Sequence, residues 1–563
     1  MKKKKSHKYI FVIGGVMSGV GKGVACASIG RVLQDRGFET TLVKIDQYLN
    51  VDAGTMNPTE HGEVFVTKDG DETDQDIGNY ERFLNRDIYS INYMTSGRVY
   101  QSVIERERNL GYGGKCVEAV PHIPEEVIRR IKLAAEKNRA DITVIEIGGT
   151  IGEYQNVFFL EAARMMHRQA PEDVVFILVS YLPVPENLGE MKTKPTQQAA
   201  RLLNAAGIQA DFIIARSKHH VDKRRKEKLG IFCDVPEGNV ISAPDVESIY
   251  DVPVNFENEQ FGDKLIAELG LKKREGNGMK EWRAFVAETK KSKQEVKIAV
   301  IGKYFDTGDF VLSDAYISVI EAIKHSSYAL GRKPVLTWLN SKDFEKDMID
   351  VAALQEFDGV LVPGGFGETG IEGKIKVIKY ARENKIPYFG LCYGMQLAVV
   401  EYARHVVGFP DANTTEINPK TGHPVIDIMP DQKKILADGK YGATMRLGSY
   451  PAQLKVGTIA FKAYTASKLG RYTLHDSRYT VSERHRHRFE VNPKYIEVLE
   501  KAGLVFSGVS PDGILMEIAE LPRKVHPFFL GTQFHPEFQA RPLAPHPLFT
   551  EFLKAAVEHS KKK

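Results

Sequence analysis

Gly14-Gly15-Val16-Met17-Ser18-Gly19-Val20-Gly21-Lys22-Gly23 lies between the apolar run Tyr9-Ile10-Phe11-Val12-Ile13 and a stretch from Val24 to Leu33 with helical spacing. The pattern predicts a buried strand, a glycine-rich turn and a helix. At such a turn, backbone N–H groups converge on an anion at the positive end of the helix. Lys22 adds a point charge for outer phosphates. The spacing is one residue longer than the P-loop rule G-x-x-x-x-G-K-[ST], and Gly23 stands where that rule has a hydroxyl. The hydroxyl normally holds Mg²⁺, so a metal beside this loop must be anchored by carboxylates elsewhere. Taken alone, a glycine-rich turn with an incidental lysine reads the same way.

The rest of the chain narrows the choice. Its 563 residues suffice for two or more domains, and 42% hydrophobic with 27% charged residues is ordinary for a globular protein. A net charge of +4 gives no global argument for nucleic acid or an anionic membrane. The four cysteines, Cys26, Cys116, Cys233 and Cys392, form no C-x-x-C pair, which fits a reducing compartment and at most one special thiol. Lys2–Lys5 is basic, but the apolar stretch behind it runs into the phosphate loop without a cleavage site, so no signal peptide is read. The longest uncharged run, Ile386–Val400, falls short of the ~18 residues a spanning helix needs. A cytoplasmic protein is expected, without membrane or nucleic acid as partner.

In the first half, helix Val24–Arg36 closes at Gly37 and strand Thr40–Ile45 completes a β-α-β unit. Polar residues Lys44–Asp52 follow, where open α/β sheets bind ligands. Glu72-Thr73-Asp74-Gln75-Asp76 is a carboxylate cluster that alone is equally a solvated loop. Glu146 closes the apolar strand Ile142–Ile145 before Ile147-Gly148-Gly149-Thr150. An acid so placed suits a metal ligand beside a phosphate loop. Asp76 and Glu146 together could supply the Mg²⁺ carboxylates that Gly23 cannot. After strand Asp173–Ser180 and Pro183–Glu190, the lysines of Lys192-Thr193-Lys194-Pro195-Thr196-Gln197 flank a turn and suit a second polyanion, or simply a surface. Strand Asp211–Ala215 precedes Lys223–Lys228, a solvated helix face.

Charge rises through Lys272–Lys293, and a second α/β pattern starts at Val296–Ile301. Strand Phe357–Val362 ends in Pro363-Gly364-Gly365-Phe366-Gly367. Strand Ile386–Phe389 leads into Gly390-Leu391-Cys392-Tyr393-Gly394-Met395-Gln396. G-x-C-x-G at a strand-to-helix corner is the thiol form of the nucleophile elbow, where the helix N-terminus favours an anionic sulfur. The Tyr393 N–H and one from Gly364-Gly365 suit an oxyanion hole. His535 and Glu537, after apolar strand Phe528–Thr532, supply a base and its orienter on one side of an extended chain. His485, His487, His526 and His546 lack such company and read as structural.

On these motifs the chain resembles the CTP synthases, which convert UTP to CTP. The resemblance is carried by Gly14–Gly23, Lys44–Thr55, His61–Val66, Glu72–Asp76, Glu146–Thr150 and Lys192–Gln197, and continues through Cys392, His535 and Glu537. It implies that Gly19, Val20, Gly21, Lys22, Gly23 and Val24 bind ATP, with Lys22 and Lys44 at the transferred phosphoryl and Mg²⁺ on Asp76 and Glu146. Ser18, Lys192, Thr193, Lys194, Pro195, Thr196, Gln197 and Lys228 would contact UTP and the inhibitor CTP. Pro244, Asp245 and Val246 fall where the family contacts adenine, with proline in place of its usual lysine. Gly365, Tyr393, Gly394, Met395, Gln396, Glu416 and Arg488 would hold L-glutamine, Glu416 at its α-amino group and Arg488 at its α-carboxylate. Family members commonly read Asp-Ile-Glu at a CTP contact where this chain has Glu153-Tyr154-Gln155.

The expected fold is two three-layer α/β domains: a P-loop NTPase-like amidoligase over 1–274 and a class I glutaminase over 295–563, joined by a linker at 275–294. The resemblance further implies GTP as activator and a homotetramer, with filament formation open. Two rivals remain at this level. One is another P-loop amidoligase fused to a glutaminase. The other is a MinD/ParA-like ATPase scaffold with a vestigial glutaminase.

Overall fold

The computed structural model describes residues 7–186, 189–302, 313–429, 432, 444–466 and 479–563. The basic run 2–5 and two residues of the 183–190 segment lie outside the described residues. The chain divides into two compact units, Met1–Ala53 with Asn79–Val286, and Gly54–Gly78 with Ala287–Lys563.

The first unit is built on a seven-stranded parallel sheet. Its spatial order is Tyr93–Thr95, Thr40–Asp46, Ile142–Ile147, Lys8–Gly14, Val174–Tyr181, Phe212–Ser217 and Val240–Pro244. Ile10, Phe11 and Val12 are all fully buried, because a parallel sheet is covered on both faces and its strands need apolar residues throughout. Phe11, Ile13, Ile45, Phe176 and Leu178 share one core with residues of helices Ala119–Lys137, Val157–Gln169 and Lys194–Ala205. Helix Lys22–Asp35 covers the opposite face, which bears Leu42.

The second unit carries a nine-stranded mixed sheet. Lys333–Asn340, Glu295–Gly302, Gly359–Val362, Tyr388–Leu391 and Phe529–Thr532 are parallel. Met516–Glu520, Val505–Val509, Arg446–Leu454 and Thr480–His487 extend the sheet antiparallel. Ile298, Val300 and Phe389 face one helical layer, while Ile301, Val360 and Val362 face another. Both units are three-layer α/β structures, as the alternation of apolar runs and helical patterns implies.

Three local expectations change. The stretch 275–294 carries helix Lys280–Lys291, on which Trp282 is fully buried and donates its indole N–H to the Tyr250 carbonyl at 2.9 Å. The sparse apolar pair Trp282 and Val286, one helical turn apart, was hidden among charges. Lys194–Gln197 is the first turn of helix Lys194–Ala205, which Pro195 can begin because its missing N–H needs no partner there. Glu146 lies inside strand Ile142–Ile147, one residue before its end. Among the described residues no helix is long and apolar enough to cross a membrane.

A buried histidine ties the last parallel strand to its neighbouring helix. His526 Nε2 lies 3.2 Å from the Ala381 carbonyl, and the Phe528 N–H donates to Nδ1 at 3.2 Å. Only the neutral ring with its proton on Nε2 satisfies both contacts. Burial, the largest effect, lowers its pKa to about 4. Between pH 6.5 and about 4 the unfolded ring binds a proton that the folded ring refuses. Stability therefore rises with pH across that window, by about 3 kcal/mol in all. Urea unfolding of the full chain should show His526→Gln less stable than the parent at pH 7, yet losing less stability between pH 7 and pH 4. Parallel pH dependence in the two proteins would refute this role for the ring.

Candidate functional site

Cys392 sits at the corner between strand Tyr388–Leu391 and helix Tyr393–Tyr402, with φ 50° and ψ −98°. Positive φ at a non-glycine residue costs backbone energy, which the two packed elements on either side sustain. The Cys392 N–H donates to the Thr532 carbonyl at 2.6 Å, fixing the corner to the strand that leads to His535. The corner presents the sulfur at the helix N-terminus, as the G-x-C-x-G pattern predicts.

His535 Nδ1 is 2.7 Å from Glu537 Oε1, and both side chains are buried. The pair is not made along an extended chain. Pro536–Gln539 is a 3₁₀ turn that begins at His535, and its proline favours that bend. Burial opposes a charge on His535, but Glu537 and Cys392 together outweigh it and raise the imidazole pKa to about 10. The ring is therefore held as imidazolium beside the thiol. Gly364 closes the other side. A Cβ there would lie 2.8 Å from His535 Cε1 and 3.7 Å from Cys392 Cβ, so only glycine lets the Pro363–Gly367 turn approach.

The residues expected to hold glutamine are all in this unit. Gly365 lines the Cys392 cavity with Pro363, Gly364 and Phe366. Glu416 accepts the Gly367 N–H at 2.8 Å, and the Tyr393 O–H donates to the Gly367 carbonyl at 3.2 Å. Gln396 donates to the Phe489 carbonyl at 2.8 Å, and Met395 and Gly394 are buried behind the elbow. Arg488 donates to Gln432 Oε1 at 2.6 Å.

Alternation along strand Thr480–His487 sorts the run Glu483-Arg484-His485-Arg486-His487 into two faces. Glu483, His485 and His487 point into a buried polar network. Glu483 accepts from Tyr464 at 2.6 Å and contacts His546 at 3.1 Å. His485 Nδ1 meets His487 Nε2 at 3.0 Å, and Arg446 joins Glu490 and Glu517 at 3.0 and 2.7 Å. Burial keeps both rings well below the ordinary histidine pKa and pushes both carboxyls up. These histidines are structural, as expected.

Arg484 and Arg486 face the other way. Arg484 Nη1 donates to the Val66 carbonyl at 3.1 Å, and Arg486 Nε donates to Glu72 Oε1 at 2.9 Å. Arg486 also lines a cavity of about 70 Å³ at Cys392, together with Pro58, Glu63, Val64 and His535. Sequence reasoning missed Arg486 and this use of Pro58–Val64. The segment follows the first two strands of the chain, and no local pattern announces a partner hundreds of residues away.

In the first unit the glycine-rich loop joins strand Lys8–Gly14 to helix Lys22–Asp35. Gly21, at φ 80°, precedes helix Lys22–Asp35, and Ser18 and Gly19 are exposed while Val20 and Gly23 are buried. Lys22 Nζ donates to the Gly149 carbonyl at 2.6 Å. Lys44 and Glu146 are register neighbours on adjacent strands, and their side chains meet at 3.0 Å. Tyr80 also donates to Glu146. Asp76, in the segment Gly54–Gly78 that belongs to the second unit, stands one turn before Tyr80 on helix Gln75–Leu84. Lys192 contacts Glu190 at 2.6 Å, and Arg225 and the exposed Lys228 act on the same carboxylate, lowering its pKa, with Lys192 contributing most. Thr193, Thr196 and Gln197 are buried at the start of their helix. Pro244 ends its strand, and Asp245 pairs with Arg216 at 2.9 Å beside Val246. Glu153 accepts the Thr150 N–H at 2.8 Å and also bonds Gln47, while Tyr154 and Gln155 are exposed.

Residues 8–271 match the family model for the CTP synthase N-terminus, and residues 311–555 match that for class-I glutamine amidotransferases. The chain is 48% identical to the CTP synthase of Pyrococcus abyssi over 99% of each chain. It is 47% identical to the CTP synthase of Archaeoglobus fulgidus over 98% of this chain and 99% of that one. A solved structure described as the glutaminase domain of Trypanosoma brucei CTPS with bound acivicin is 38% identical, with a TM-score of 0.41, over 47% of this chain and 94% of that one. By class, this is an α/β protein that joins a CTP synthase N-terminal unit to a glutamine amidotransferase unit. The chain belongs to the CTP synthase family.

Removing the Glu537 charge leaves burial as the dominant effect on His535. Glu537→Gln should therefore lower the His535 titration midpoint by about one to three pH units, followed by NMR of the imidazole. An unchanged midpoint would mean that Glu537 is not what holds the imidazolium.

Proposed function

We propose that the protein aminates UTP to CTP, using ATP and ammonia released from L-glutamine. The observation that carries this reading is the Cys392–His535–Glu537 constellation in a chain whose other unit carries a phosphate loop. Cys392 attacks the glutamine amide carbon as the thiolate, forming a C–S bond, and as the tetrahedral adduct collapses the C–N bond breaks and the His535 imidazolium gives its proton to the departing nitrogen, which leaves as ammonia. Backbone N–H groups at Tyr393 and Gly364-Gly365 stabilise the oxyanion. Water then cleaves the thioester with His535 as base, and glutamate leaves. Glu416 and Arg488 hold the α-amino and α-carboxylate groups of glutamine, beside Gly365 and Tyr393–Gln396.

In the amidoligase domain, taken as 1–274, uracil O4 is a poor leaving group until it receives the ATP γ-phosphoryl. Ammonia then forms the C–N bond at C4 and phosphate departs. Gly19–Val24 and Lys22 cradle the ATP phosphates, Lys44 neutralises charge on the transferred group, and Pro244–Val246 border the adenine. Ser18, Lys192–Gln197 and Lys228 take the UTP or CTP triphosphate. Mg²⁺ fits the donor chemistry here. Glu146 is a buried carboxylate, a hard-oxygen donor of the kind that Mg²⁺ takes alongside phosphates and water. Asp76 and Glu146 would hold the ion, which neutralises phosphate charge when bound. Segment 275–294 connects to the glutaminase domain at 295–563. By family likeness, GTP activates glutamine hydrolysis in a cytoplasmic homotetramer.

Cys392→Ala should abolish CTP synthesis from glutamine while synthesis from added ammonia survives. Loss of both activities in a folded protein would overturn the two-site reading.

CTP feedback involves the segment Glu153-Tyr154-Gln155. Gln155 is exposed and neutral where the family commonly carries an acid. A hydrogen bond to a charged acceptor contributes ~1.5–3 kcal/mol against ~0.5–1.5 for a neutral one. Gln155→Glu should tighten CTP inhibition by roughly five- to tenfold with little change in the Michaelis constant for UTP. Equal or weaker inhibition would show that CTP is held without this residue.

A further inference from the structure

Gln533 stands two residues before His535, and alternation brings both side chains toward Cys392 while Phe534 between them turns into the apolar core. The Gln533 side chain is fully buried, and its Nε2 lies 3.7 Å from Cys392 Sγ. The backbone beside it is fixed in both directions. The Gln533 N–H donates to the Glu517 carbonyl at 2.8 Å, and the Thr532 carbonyl accepts the Cys392 N–H at 2.6 Å.

A side-chain amide has a donor end and an acceptor end of nearly the same shape, so its neighbours decide which end faces the sulfur. The Phe489 carbonyl can only accept, and Gln396 Nε2 donates to it at 2.8 Å. The same Nε2 donates to Gln533 Oε1 at 3.2 Å. With its oxygen occupied by Gln396, Gln533 turns its NH₂ to Cys392. Two amides in series thus carry the polarity of one backbone carbonyl to the nucleophile.

The two polar neighbours of the sulfur favour opposite states. The Arg486 carbonyl, 3.9 Å from Sγ, can only accept, which suits a protonated S–H. An N–H donor bonds a charged acceptor about twice as strongly as a neutral one, so Gln533 favours the thiolate. Glutamine hydrolysis needs the thiolate twice. It is the nucleophile that forms the C–S bond, and it is the leaving group when water forms a C–O bond. In that second step the C–S bond breaks with its electron pair going to sulfur, and His535 takes the proton from water.

Resting on the function proposed above, we propose that Gln533 is a further catalytic residue, whose side-chain N–H donates to the Cys392 sulfur and holds it as the thiolate in an orientation imposed by Gln396.

Gln533→Met keeps the length of the side chain and removes the donor. The full chain is treated with iodoacetamide, from which the thiolate displaces iodide, and modification of Cys392 is followed by peptide mass spectrometry as a function of pH. The exposed Cys116 serves as internal standard. The charged groups around the sulfur, His535 with Glu537 and the cavity residues Arg486 and Glu63, are the same in both proteins. The pH at which Cys392 reacts at half its plateau rate should rise by about one unit in the variant, a tenfold shift from thiolate to thiol, while Cys116 keeps its parental profile. An unmoved Cys392 profile overturns the proposal, even if the Michaelis constant for glutamine rises, because that change alone would reflect a structural role beside Gln396. If Gln533→Met does not fold, Gln533→Asn, whose amide falls one methylene short of the sulfur, decides by the same profile. A parent that hydrolyses no glutamine overturns the glutaminase reading and this proposal with it. A parent that does so, beside a variant with the parental profile, overturns the proposal alone.

Discussion

A parallel strand that runs into a helix leaves backbone N–H groups without partners at the junction, all pointing along the helix axis. Both candidate sites of this protein are built on that junction. Lys8–Gly14 hands over to helix Lys22–Asp35 through a loop with Gly21 at φ 80°, and Tyr388–Leu391 hands over to helix Tyr393–Tyr402 through Cys392 at φ 50°. In the first case the exposed N–H groups suit phosphate oxygens, and in the second the oxygen of a tetrahedral intermediate. Each junction is sustained by a sheet buried on both faces, which is why the strands on either side are so uniformly apolar.

Charge is managed differently at the two centres. Around Cys392 a buried imidazole is kept charged, because Glu537 and Cys392 outweigh burial. On strand Thr480–His487, burial prevails and His485 and His487 stay neutral. The difference is the carboxylate at 2.7 Å: His535 has Glu537 to itself, while the carboxylates near the histidine pair are already engaged by Arg446. Near the glycine-rich loop, Lys44 and Glu146 are paired on adjacent strands, so a cation and a carboxylate are held together by sheet register.

The strand Thr480–His487 connects these themes. Its alternation turns Glu483, His485 and His487 inward to a polar network and Arg484 and Arg486 outward to the segment Gly54–Gly78. That segment belongs in sequence to the first half of the chain and in compactness to the second unit. A wall of the Cys392 cavity is thereby supplied from the half of the sequence that carries the phosphate loop.

Local chemistry was legible in the residues themselves. Gly14–Gly23 and Gly390–Gln396 are short-range patterns in which glycine, apolar run and helical spacing determine the backbone path within about ten residues, so the elements and the corner at Cys392 could be read directly. His535 and Glu537 were legible for the same reason, although their contact runs through a 3₁₀ turn and not along a strand. Tertiary structure alone decided which charges meet. Lys44 finds Glu146 through sheet register, Arg486 finds Glu72 through the docking of a distant hairpin, and Trp282 anchors a helix rich in charged residues. Such pairings depend on the free energy of burying charges and rings against partners far along the chain. No window of sequence holds both members of the pair.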